Sequence, residues 1–298
     1  IYSPMLGFPA GYFKGLFMSG IALRGSTSGS PAIISARADK GSSWHQRLRR
    51  AYVPIGILAV WQAGFALGWI PAQTVPPPSA IAIAAWQLAV TGQLAVNILV
   101  SLERVAIGLG IGVLVGTALA LLAGLSRLGE DSVDPTLQML RTLPHLALIP
   151  LMIMWFGIGE TPKITLIALG SMFPIYLNLF AGIRGADRKL REAANTLGLS
   201  HFETIINVVL PAALPNFLTG LRQAFGIAWI TLVVAEQINA SAGIGYLVMN
   251  ARDFLRTDII FVGLSIYAIL GLLTDQTVRL LEHYLLAWRP SFLKDAPR

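Results

Sequence analysis

Two arginines stand in or at the edge of long apolar runs, Arg104 in the run from Ile98 to Leu125 and Arg222 in the run from Phe217 to Ile238. In a low-dielectric setting a guanidinium either attracts a passing anion or is neutralised by a carboxylate of the same chain. Glu103 and Glu236 are the carboxylates spaced to be partners; Arg222 has a further setting among lipid headgroups at an interface, and Arg104 with Glu103 one as an interfacial pair snorkelling to water. The sequence leaves these roles open. Its candidates for a substrate pathway are Arg104, Arg222, Trp229 and Glu236, with Thr231, Asn239 and Ser241 able to line an outer cavity.

Other chemistry is poorly supplied. There are no cysteines, which removes disulfides, thiolate metal sites and cysteine nucleophiles. His145, after Pro144 and near the expected cytoplasmic end of a span, has no second His, Asp or Glu at ligand spacing, so no metal is expected. The sparse Asp, Glu and His do not converge as an acid, base and nucleophile would, and a membrane-embedded enzyme is unsupported. The G-x-x-x-x-G-K-[ST] phosphate loop is absent, and "GSTSGS" at 25–30 lacks its lysine. The chain is therefore expected to hydrolyse no ATP and to bind no cofactor itself.

The elements that must position these residues are apolar and long. The chain is 55% hydrophobic and 12% charged, with a mean hydropathy of +0.66, a composition that belongs in a bilayer. Apolar stretches recur at 53–70, 98–125, 143–158, 164–183, 217–238 and 259–273, each near the roughly 20 residues that cross about 30 Å of hydrocarbon. The expected fold is all-α, a polytopic membrane protein with about six transmembrane helices. The third stretch is short and cut by Pro150, and with Pro144, Pro162 and Pro174 it reads as broken helix held inside the bundle. Pro78 opens an outer interfacial helix anchored by Trp86. Gly108, Gly112, Gly116, Ala120 and Gly124 recur every four residues, a face that lets another helix approach closely.

The net charge of +7 forms no aromatic-laced basic patch, so no nucleic acid is expected; it reports topology instead. Lys14, Arg24, Arg37, Lys40, Arg47, Arg49 and Arg50 precede the first span, whereas 71–96 holds no Lys or Arg, which puts the N-terminus in the cytoplasm. Residues 1–43, rich in Gly and Ser, read as a disordered cytoplasmic tail rather than a cleaved leader, 44–290 as the membrane domain and 291–298 as a cytoplasmic tail.

With six crossings, the segment 184–212 also faces the cytoplasm. It contains "REAANTLGLSHFETIINVVLPAALP", a polar pair of helices between two spans. Asp187 is placed to cap the first helix, Gly198 to end it in the left-handed conformation, and Ser200 with Glu203 to form a capping box for the second. Pro211 and Pro215 are expected to end or kink that second helix. Phe202, Ile205, Ile206 and Val209 form an apolar stripe, more than a solvated loop requires.

Glu192-Ala193-Ala194, then Gly198, then Val208-x-Leu210-Pro211 resembles the EAA loop of ATP-binding-cassette importer permeases, with valine where the usual form has isoleucine. The resemblance covers about 52–290, including "RTLPHLALIPLMIMWFGIGE", "GSMFPIYLNLFAGIR" and "AEQINASAGIGYLVMNARDF", and is greatest to the nitrate/sulfonate/taurine/bicarbonate branch, within it to aliphatic-sulfonate permeases. It implies a multi-pass subunit of the bacterial inner membrane that imports a small anion, most closely an aliphatic sulfonate, with taurine, nitrate or bicarbonate as alternatives and a secondary transporter as the rival class. It implies as partners a second permease copy, two ATPase subunits that carry ATP and magnesium, a periplasmic or lipid-anchored substrate-binding protein, and membrane lipid. It also implies that Glu192, Ala193, Ala194, Gly198, Ser200, Phe202, Glu203, Leu210 and Pro211 serve ATPase coupling, with Glu192 making a charged contact there. The outer segment "SAGIGYLVMNARDFLRTD" is expected to form a turn and a short helix that help to meet the binding protein.

Overall fold

The computed structural model describes residues 42–71 and 75–288, so the tails expected at 1–43 and 291–298 lie almost wholly outside the described residues. The chain divides into units at Ile1–Ala51 and Tyr52–Arg298, and the fold below is that of the second. Among the described residues every regular element is helical.

Helix α1, Ser42–Ala66, is apolar only from Tyr52. Helix α2, Pro78–Val90, opens on a proline whose missing N–H costs nothing in a first turn. Gly92 then turns the chain into α3, Gln93–Leu125. Ser126 caps α4, Arg127–Leu140, by accepting from the Gly129 N–H. A 3-10 turn at His145–Leu148 leads into the short α5, Ile149–Phe156, and α6 runs from Glu160 to Arg184. A short pair follows: α7, Arg188–Thr196, and α8, His201–Thr204. Then come α9, Leu210–Glu236, α10, Ile244–Asp253, and α11, Thr257–Leu285.

Among the described residues four helices are long and apolar enough to cross a membrane: α3, α6, the continuous helix from His201 to Glu236, and α11. A fifth crossing results if α4 and the segment His145–Phe156, which meet at an 80° bend, count as one span. The stretch 143–158 is thus not a helix of its own. Pro144 and Pro150 deny it backbone donors, and only eight residues of α-helix remain.

The core is built on α6, the most buried of the spans. On one side it receives the small-residue face of α3: a Cβ on Gly108 would lie 2.7 Å from Ile167, and one on Gly116 2.7 Å from the Met172 carbonyl. Bulk at those positions would force the backbones apart. On its other side α6 receives α9, where a Cβ on Gly220 would lie 2.8 Å from the Pro174 carbonyl. A second apolar cluster ties α2, α10 and α11 through Ala84, Leu88, Ile244, Leu247, Val262 and Ile266.

Of the two outcomes expected at Pro211 and Pro215, the ending is corrected: neither proline ends the helix that opens after Ser200. A π turn over Ile205–Val209 widens the backbone just before Pro211, with the Leu210 N–H bonded to the Ile205 carbonyl, and the helix accommodates the proline's missing donor there. The helix from His201 to Glu236 is continuous over 36 residues.

Candidate functional site: a capped apolar tip and a buried charge clamp

At the tip formed by residues 187–206 the sequence dictates geometry locally. The Asp187 carboxylate accepts from the Lys189 N–H and opens α7. At its far end Gly198 has φ +80°, which an L side chain resists; the Leu199 N–H reaches the Ala194 carbonyl and the Gly198 N–H the Asn195 carbonyl, a complete Schellman closure. Ser200 and Glu203 then exchange both capping-box bonds, at 2.8 and 3.3 Å. The Ser200 N–H donating to the Glu203 carboxylate holds that group below the usual carboxylate range.

This rigid turn exposes grease. Leu190, Leu197, Phe202 and Ile206 are all exposed, Leu197 by 79% and Phe202 by 70%, whereas Val209 is buried and Ile205 half-buried. Ala194 packs inward and Ala193 outward. Glu192 accepts from Arg188 Nε at 2.8 Å, an exposed pair worth little by itself. Leu210 and Pro211 lie at the start of α9, half-buried, and fix where the tip joins the span.

At the opposite end of the same helices four charges meet. Arg104 Nε and Nη2 donate to Glu160 at 2.5 and 2.7 Å, and its Nη1 donates to Glu236 at 2.7 Å and to the Ala242 carbonyl at 2.6 Å. Lys163 Nζ donates to Glu160 at 3.0 Å. Glu236, 1% exposed, also accepts from the Ser101 hydroxyl at 2.7 Å and the Gly245 N–H at 2.8 Å. The Ile244 N–H donates to Ser101 Oγ and the Gly243 N–H to Asn97 Oδ1, both at 2.8 Å. Gly243 has φ +121°, and a side chain there would run into the Glu236 carboxylate and Arg104. Two cations and two carboxylates balance. The cluster clamps α3, α6, α9 and the start of α10, and it holds no surplus charge for an anion.

The other pathway candidates are also engaged within the chain. Arg222 pairs with Glu282 at 2.7 Å and Asp275 at 3.3 Å, on α11, not with Glu103 or Glu236, and Arg279 completes a second balanced set through Asp275. Glu103 is exposed. Trp229 Nε1 donates to Thr274 at 3.1 Å. Thr231 is fully buried, with its Oγ1 3.1 Å from His145 Nε2, so His145 lies beside Gly170 inside the bundle, away from the capped turn at 187–206. Asn239, at φ +52°, lines a small pocket with Lys163, and Ser241 is exposed in the loop before α10.

Sequence reasoning missed Asn97, Ser101, Glu160 and Lys163. The first two were legible: they share a face with Arg104 and Gly108 at helical spacing, the face that α3 buries. Among the described residues no group of His, Cys, Asp and Glu is arranged to hold a metal ion.

Residues 108–285 match the family model described as "Binding-protein-dependent transport system inner membrane component". A permease protein of Escherichia coli (strain K12) described as an aliphatic sulfonates transport permease, SsuC, is 48% identical over 85% of this chain and 97% of its own length. The SsuC of Bacillus subtilis (strain 168) is 45% identical over 87% and 94%. The taurine transport system permease protein TauC of E. coli (strain K12) is 36% identical over 80% and 90%. A solved amino acid ABC transporter chain, 21% identical, superposes with a TM-score of 0.56 over 66% of this chain and 96% of that one, a likeness of fold. The buried α3–α6–α9 core, the capped turn and these matches together assign the chain to the binding-protein-dependent inner membrane components, the transmembrane permeases of ABC transporters.

Proposed function

We propose that this chain is the transmembrane subunit of an ATP-driven, binding-protein-dependent importer of a small anion, and that the anion is an aliphatic sulfonate. The observation that carries the importer reading is the exposed apolar tip at 187–206, held rigid by its caps and continuous with α9. A solvated loop does not require four large exposed apolar side chains on a capped turn, whereas docking into a groove of a second protein does. The names of the SsuC and TauC relatives support the anion.

In this reading the docking partner is an ABC ATPase subunit, with ATP and magnesium on that subunit. Leu197, Phe202 and Ile206 fill its groove and Glu192 makes a charged contact at the rim. Two copies of the chain work with two ATPase subunits in the bacterial inner membrane, and a periplasmic or lipid-anchored binding protein delivers substrate to the outer loops that include α10. The sixth crossing is Tyr52–Ala66 continued toward Ile70, with the N-terminus in the cytoplasm. Arg104 and Glu236 serve as a clamp that closes the outer end, not as ligands of the passing anion.

The test is substrate-stimulated ATP hydrolysis by the chain reconstituted in proteoliposomes with its ATPase subunit and binding protein, across ethanesulfonate, taurine, nitrate and bicarbonate. Stimulation by ethanesulfonate is expected. Stimulation by nitrate or bicarbonate alone would move the substrate and leave the machine intact, and failure of any ATPase subunit to bind the folded chain would remove the importer reading.

A further inference from the structure

The exposed face of α9 differs from the exposed faces of the other spans. In the middle turns of α3 and α11 the large exposed residues are apolar, Ile111 and Leu114 on one and Ile269 and Leu272 on the other, whereas Glu103, Gln276 and Arg279 are exposed nearer the ends. On α9 the exposed positions run Asn216, Thr219, Arg222, Gln223, Gly226 and Ile230; Arg222 is paired with Asp275 and Glu282 of α11, and Gln223 is the middle residue of the helix. The Thr219 hydroxyl is satisfied by the Pro215 carbonyl, as a hydroxyl on any helix can be. A side-chain amide carries two donors and an acceptor, more than its own helix can take up. Across the seam Asn178 of α6 donates to Gln223 Oε1 at 3.1 Å and to the Pro174 carbonyl at 2.8 Å. Among the described residues that leaves the Gln223 Nε2 donors and the whole Asn216 amide without partners. Asn216 stands against Gly182, so both amides line one edge of the α6–α9 seam, about 10 Å apart along α9.

Lipid offers these amides nothing, and unpaired polar groups in hydrocarbon are strongly disfavoured. The arginines that might have served an anion are neutralised by Glu160 and Glu236 at one end and by Asp275 and Glu282 at the other. From this juxtaposition we infer that Asn216, Gln223 and Asn178 form a water-facing wall of the substrate pathway, where the oxygens of a small oxyanion accept from neutral amide N–H groups instead of meeting a fixed cation. Neutral donors suit a path better than a charge does, because an anion must leave each position as readily as it enters. The inference rests on the importer reading and names the part of the chain that meets the substrate.

The chain contains no cysteine, so single cysteines can be placed without background. In proteoliposomes holding the assembled transporter, Asn216→Cys and Gln223→Cys are expected to react with a water-soluble, membrane-impermeant thiol reagent at least tenfold faster than Leu272→Cys, in the nucleotide-free or the ATP-trapped state. Gln223→Leu is expected to cut uptake of ethanesulfonate about tenfold, the loss that goes with roughly one hydrogen bond to a charged group, and Gln223→Asn to restore part of it. Equal labelling of Gln223→Cys and Leu272→Cys in both states would overturn the proposal, because a lipid-covered or copy-covered face stays dry. Parental uptake by Gln223→Leu would overturn it as well. If the ATPase subunit binds and substrate stimulates it while the thiols stay unlabelled, only this inference falls. If no ATPase subunit binds, the importer reading falls and takes this one with it.

Discussion

Glu236 is fully enclosed, and it accepts from Ser101, Arg104 and Gly245, three donors on two elements, α3 and α10. A buried carboxylate is tolerated only in such company, and removing its charge strands the cation that faces it. Glu236→Gln keeps the shape and deletes the charge, leaving Arg104 and Lys163 to share the one carboxylate of Glu160. The expected cost is about 3–5 kcal/mol, read as a fall in melting temperature of the detergent-solubilised protein. Arg256→Gln, which breaks the exposed pair with Asp258, should cost no more than about 1 kcal/mol. Equal melting temperatures for the two variants would contradict the clamp.

The seam between α3 and α6 has the narrowest tolerance among the elements. Gly116→Leu must push against the Met172 carbonyl and Ile175, and overpacking of that kind costs about 1–3 kcal/mol or more. Gly110→Ala on the same helix meets nothing within 4 Å and should stabilise by about 1 kcal/mol through helix propensity; thermal unfolding of the two variants reads the contrast. The capped turn has a pH signature. The Glu203 carboxyl titrates below its unfolded value, so the capping box contributes stability that is fully present above the ordinary carboxylate range and lost as pH falls through the lowered value. Hydrogen exchange at the amides of residues 200–204 should quicken over that acidic window and not above it. These turns were legible in the sequence because a cap is a contact within four residues, as was the glycine face of α3 because its period is that of the helix. The Arg104–Glu160 pair was not, since 56 residues separate partners that only tertiary packing joins. Nor was the unbroken passage through Pro211, because a π turn is a backbone adjustment with no residue signature of its own.

At the scale of the molecule, the tip and the clamp belong to one helix. Phe202 and Ile206 project from one end of it, and replacing both by alanine should weaken ATPase-subunit binding by at least tenfold in a pull-down titration while the chain still inserts and melts as before. Retained binding would mean that the apolar tip docks elsewhere. The 36 residues from His201 to Glu236 make a rod about 54 Å long, and near its middle it crosses α6 closely, at Gly220 against the Pro174 carbonyl. From that crossing Phe202 is about 27 Å away and Glu236 about 24 Å away along the helix. With that crossing as the pivot, arms so nearly equal would make a seesaw with a mechanical advantage close to one. A tilt that carries the tip a few ångströms in one direction swings the clamp about as far in the other, and Glu236 then either breaks from Arg104 or drags α3 with it.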